Sequence, residues 1–187
     1  MDVLGIEPKV WFPVVTLIVG GALKWVGDLV THRRTSARER AARQEQRRDA
    51  ARIRQIDFQR DTLLELQDFC QQLARHTGRI NFEDSMAYRD TGHWGRSLVS
   101  AEVSEGSRAC QAGISKLRGR VRNDAIRQQV LEFSAVCAAV VTARAKDKSD
   151  SAFNRMGTIQ NELNEQIGSV LRTLDDDEDS LIGSSGA

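Results

Sequence analysis

The sequence predicts an all-α protein: an N-terminal transmembrane helix that continues into a long basic helix and then an antiparallel, four-helix-type bundle. Three observations carry this expectation. Residues 10–30 form an apolar run that breaks directly into an arginine-rich segment beginning at Arg33. No proline follows Pro13, so no later position is barred from a helix by a missing N–H. Apolar residues then recur at spacings of three, four and seven, with no competing strand-like alternation. The expected segments are a membrane anchor over 1–31, an Arg-rich juxtamembrane helix over 32–55, a cytosolic helical bundle over 56–174 and an acidic disordered tail over 175–187.

The apolar run is 21 residues, or about 31 Å as a helix, against a hydrocarbon thickness of about 30 Å. Its uninterrupted part, residues 10–23, reaches only about 21 Å, so Lys24 and Asp28 must snorkel at one interface. Trp11, Phe12 and Trp25 frame the run like interfacial aromatic belts. Residues 32–60 hold ten arginines against Glu39, Glu45, Asp49 and Asp57, a net of +6. The positive-inside rule then places the protein in the inner membrane as a single pass, N-terminus out and C-terminal domain in the cytosol. Thr16, Gly20, Lys24, Gly27 and Thr31 fall at spacings of four and three, one small or polar face suited to helix association.

Over residues 35–79 the chain reads as one long helix, with Glu39 and Arg43, and Asp49 and Arg52, at supportive spacings. Its first half has no apolar stripe. Its second half carries Ile56, Leu63, Leu66, Cys70, Leu73 and Ile80 at near-heptad positions. Residues 81–95, with Asp84, Asp90, Gly92 and Gly95, read as a loop. A second helix follows Val99, Val103, Cys110, Ile114, Leu117 and Val121, weakened by Gly106 and Gly113. Asn123 or Asp124 caps a third, whose apolar face is Ile126, Val130, Phe133, Cys137, Val140 and Val141. The fourth shows the clearest repeat, Phe153, Met156, Leu163, Ile167, Val170 and Leu174. Short connections favour an antiparallel bundle; a homo-oligomeric coiled coil built on the same heptads stays open as the rival.

Net charge is only +1 over 187 residues, but it is segregated: the arginines crowd one segment, and residues 175–179 are all acidic. That acidic run is a candidate intramolecular lock on the arginine segment. Cys70, Cys110 and Cys137 sit in apolar helical patterns and read as reduced core residues. His32, His76 and His93 stand at no metal-ligand spacing, and no phosphate loop or nucleophile elbow occurs, so neither an enzyme nor a cofactor or metal site is expected.

The arginines Arg33, Arg34, Arg38, Arg40, Arg43, Arg47 and Arg48 are the expected contacts to anionic lipid headgroups, at about 1 kcal/mol per basic residue near an anionic leaflet. A basic region entering heptads is also the layout of leucine-zipper DNA binders. Here no asparagine accompanies Ala41, Ala42 and Arg43, and nucleic acid is not expected as a partner. Phe82, Tyr88 and Trp94 in the predicted loop are the expected contacts to a protein partner.

The whole layout, an apolar N-terminal run, then Arg33 to Arg54, then helices without motifs, resembles small N-terminally membrane-anchored helical proteins of high-GC bacteria and their phages. The resemblance implies membrane-associated exclusion or defence. From the residues themselves the expected function is a non-enzymatic, membrane-anchored interaction module at the cytosolic face; the alternative is a structural coiled-coil assembly protein.

Overall fold

Among the described residues there are four helices: α1 (Pro8–Thr91), α2 (Ala101–Arg118), α3 (Asp124–Val141) and α4 (Lys146–Ser185). The structure, a computed structural model, describes the backbone of residues 8–95 and 99–185. Side chains are described for Lys24, Trp25, Glu39 and Arg40, and from 42 to 95 and 99 to 183. Two compact units emerge, Met1–Ala51 and Arg52–Ala187.

The first unit holds the N-terminal part of α1 and corrects the predicted anchor. Among the described residues no helix is long and apolar enough to cross a membrane. The transmembrane assignment and the single-pass inner-membrane localisation are therefore withdrawn. The sequence contains the reason: the clean apolar stretch 10–23 is about 9 Å short of a bilayer core, and Lys24 then stands exposed. With the anchor goes the premise that set the arginines beside lipid. From 42 to 48 every side chain is exposed, as are Glu39 and Arg40. This stretch is polar around its whole circumference and is supported by local pairs such as Arg43 Nη2 to Glu39 Oε2 at 3.1 Å.

The second unit is an up-down-up-down helical bundle. Residue numbers rise on α1 and fall on α2 and α4 where they meet it: Phe69 lies against Gly113 and His76 against Gly106 on α2, while Gln67 meets Asn164 and Asn81 meets Ser149 on α4. Glu132 of α3 pairs with Arg155 of α4 at 2.5 Å in the same antiparallel sense. Along α1 the buried seam is Ile56, Gln59, Leu63, Leu66, Cys70, Leu73, Thr77 and Ile80, an unbroken three-four alternation. Facing it are Val103, Cys110, Ile114 and Leu117 of α2, Ile126, Val130, Phe133 and Cys137 of α3, and Met156, Ile159, Leu163 and Ile167 of α4.

Gly106 and Gly113 are contact points and not mere weaknesses in α2. A Cβ at Gly106 would stand 2.6 Å from the His76 ring, and one at Gly113 2.8 Å from the Phe69 ring. Absence of a side chain lets α1 and α2 approach with two rings seated in two holes. Gly113→Val is expected to cost about 2 kcal/mol through overpacking. Gly157→Ala, where a Cβ meets nothing within 4 Å, should instead gain up to about 1 kcal/mol of helix propensity. Urea denaturation of the two variants checks the opposite signs.

Asn123 is the cap of α3, accepting from the Ile126 N–H at 3.1 Å. Two predicted irregular segments are helical. Residues 81–91 belong to α1, because Asn81 and Asp84 remain buried in register with the seam. The helix stops only where Gly92 adopts φ +70° and its N–H closes on the Tyr88 carbonyl at 2.7 Å. The acidic run, expected as a disordered tail, continues α4 to Ser185. There Arg60 Nη2 donates to Asp175 Oδ1 at 2.7 Å and to Glu178 Oε2 at 2.6 Å, tying the end of α4 to α1.

Candidate binding surfaces

The basic surface begins with helix geometry. Arg40, Arg43, Arg47 and Arg48 are exposed on α1, with Glu39 and Glu45 interleaved, so the stretch is a mixed-charge face and not a uniform cation. Arg33, Arg34 and Arg38 lie outside the residues whose side chains are described. So do Thr16, Gly20, Gly27 and Thr31 of the predicted association face, of which only Lys24 is described, and it is exposed.

The three aromatics predicted as one contact set are divided. Tyr88 and Trp94 meet edge to face with centroids 6.0 Å apart, and Trp94 Nε1 donates to the Ala143 carbonyl at 2.9 Å, closing the α3–α4 connection. Trp94 thus seals one end of the bundle. Phe82, six residues before Tyr88, points about 120° away around the helix and is 64% exposed. Beside Tyr88 and Trp94 an open depression of about 490 Å³ is edged by Arg144, Lys146, Asp147 and Asp150, with Lys146 and Asp150 paired across one helical turn.

At the opposite end a more enclosed cleft of about 460 Å³ lies between α1, α4 and the α2–α3 turn. Gln59 positions the turn: its Nε2 donates to the Arg120 carbonyl at 3.0 Å and its Oε1 accepts the Arg122 N–H at 2.9 Å. A buried amide with both ends satisfied fixes the turn against α1 at one level. Neighbouring Arg60 is the clamp described above, with Asp57 as a third partner at 3.2 Å. Its hydrogen bonds to Glu178 and then Asp175 hold the guanidinium still more firmly in the charged form than usual.

The cysteines lie in the core on three different helices. Burial pushes the Cys70 thiol up to about 12 and the Cys137 thiol up to about 11, and raises Cys110 as well. Buried neutral thiols make poor nucleophiles and poor metal ligands. Among the described residues no cluster of three or more His, Cys, Asp or Glu side chains is placed to hold a metal ion. His76 seats on Gly106 and His93 is exposed.

Sequence reasoning missed the cleft. Its signals were a glutamine, Gln59, in the largely apolar α1 seam, and an α4 repeat that runs on through Leu174 to Leu181. No known protein family, curated protein or solved structure matches the chain.

Proposed function

We propose that the chain is a non-enzymatic interaction module whose exposed, mixed-charge stretch of α1 engages a protein partner with an acidic helical surface. The observation that carries this reading is that from 42 to 48 no side chain is buried, although the segment is helical. A single helix of that kind gains little from its own i,i+4 pairs, a few tenths of a kcal/mol each, and packing against a partner would supply what the described residues do not. Interleaved carboxylates and alanines favour a protein over a polyanion, because each acid repels a phosphate lattice while remaining able to pair with basic groups of a partner helix.

The test compares the full chain with a variant carrying Arg40→Glu, Arg43→Glu, Arg47→Glu and Arg48→Glu, each immobilised and offered the same host extract. Proteins retained by the parent and lost by the variant, at equal circular-dichroism helicity and melting temperature, are the expected result. Identical retention would remove the arginine stretch from the function.

A second reading is an assembly protein. What favours it is the α4 repeat, whose apolar members Val170, Leu174 and Leu181 are not fully buried by the chain's own helices. Sedimentation equilibrium separates the two readings: a mass fixed at one chain opposes assembly, and a concentration-dependent multiple supports it.

A further inference from the structure

The cleft at the α2–α3 turn has the composition of a small-molecule site. Its walls are Ile56 and Leu63 of α1 and Val170, Leu174 and Leu181 of α4, with Val121 of the turn as its floor. Ile56, Leu63 and Val121 belong to the buried core. The cleft therefore opens from solvent onto core side chains, at the point where α2 and α3 end while α1 and α4 both continue. A volume of about 460 Å³ falls within the range of cavities that enclose small ligands.

The rim is polar and carries charges of both signs. Arg52 stands on the α1 side, Arg122 on the turn and Asp177 on the α4 side. With the Gln55 amide oxygen turned toward the turn, it accepts from Arg122 Nη1 at 2.6 Å and Nη2 at 3.1 Å. A neutral acceptor orients the guanidinium without cancelling its charge. The Arg60 clamp to Asp175 and Glu178 fixes the separation of the two walls from outside the cleft.

We propose that this cleft binds a small amphipathic monoanion, its apolar tail between Ile56, Leu63, Val170 and Leu174 and its carboxylate against Arg122 and Arg52. Apolar walls supply affinity in proportion to the surface they cover. Guanidinium groups select a carboxylate, which accepts paired N–H donors in matching geometry. The site is separate from the α1 stretch assigned to a protein partner, so either assignment can fail alone.

Isothermal titration of the full chain with decanoate, decanol and acetate tests the proposal. The expected result is saturable binding of one decanoate per chain, weaker binding of decanol and no saturable binding of acetate. Arg122→Gln keeps the backbone N–H that Gln59 requires and should weaken decanoate about tenfold while leaving decanol unchanged. Leu174→Gln should weaken both probes, and circular dichroism of each variant monitors the fold. No saturable decanoate binding up to millimolar concentration overturns the proposal, as does decanoate affinity untouched by Arg122→Gln. It is likewise overturned if the chain sediments as a dimer that Leu174→Gln dissociates and the dimer takes up no decanoate, for then a second copy fills the cleft.

Discussion

Raising the pH from about 8 to about 10.5 is expected to remove about 4 kcal/mol of the bundle's stability through two thiols alone. Cys70 titrates near 12 and Cys137 near 11 in the folded chain, against an ordinary value of 9.0. The folded state therefore retains protons that the unfolded state releases. Stability from this source is fully present below about pH 9 and is lost as pH climbs toward the folded values. At about pH 10.5 each thiol accounts for about 2 kcal/mol. Guanidinium-chloride midpoints measured across this range should fall steeply for the parent chain. The unfolding free energies derived from them should fall less, by that 4 kcal/mol, for the Cys70→Ala, Cys137→Ala double variant. Equal slopes would mean that the thiols are solvated, contrary to their burial at 2% and 1% exposure.

Phe133→Ala is expected to cost about 4 kcal/mol. Its ring, with no accessible surface, lies in the same core cluster as Leu66, Leu73, Val130 and Met156. Truncation would open a cavity that four helices cannot collapse around without moving together. For a domain of this size the loss corresponds to a melting temperature lower by roughly 10 °C. Leu131→Ala, two residues away on the exposed face of α3, should change stability by less than about 0.5 kcal/mol. The contrast is readable by calorimetry, and a small effect at Phe133 would mean that α3 does not supply the centre of the core.

The bundle was legible in the sequence because helical periodicity is a property of spacing alone. Ile56, Leu63, Leu66, Cys70, Leu73 and Ile80 are all buried, and Asn123 caps α3 as its side-chain chemistry requires. Composition misled where tertiary contact decides. Residues 81–91 look like a loop by their polar and small side chains, yet Asn81 and Asp84 fall at buried positions of an existing helix, and packing outweighs weak propensity. The acidic run looks disordered in isolation, but Arg60, more than a hundred residues earlier, supplies two charge-assisted hydrogen bonds that no local reading contains. The anchor failed on a length already countable in the sequence, since Lys24 ends the apolar stretch too early.

The cleft was illegible for a related reason. It arises from a difference in length between helix pairs, α1 and α4 outrunning α2 and α3, and depends on which residues the α2–α3 turn sets against α1. The directions of the aromatics were illegible too: Phe82 and Tyr88 are near in sequence but look in different directions from one helix.

The two glycines of α2 also determine which alignment of the helices is allowed. Phe69 and His76 are seven residues apart, as are Gly113 and Gly106, so both rings find holes in one alignment only. Sliding α2 by one heptad would set Phe69 at Gly106 and His76 at Val99, or His76 at Gly113 and Phe69 at Arg120. Either slip leaves one glycine hole unfilled and carries the second ring past an end of α2, which spans Ala101–Arg118. A heptad repeat by itself is indifferent to such a shift, since every seventh position offers a similar apolar surface. Paired absences of a Cβ break that degeneracy, like a key with two teeth, and exclude the near-native misalignments that a uniform seam would allow.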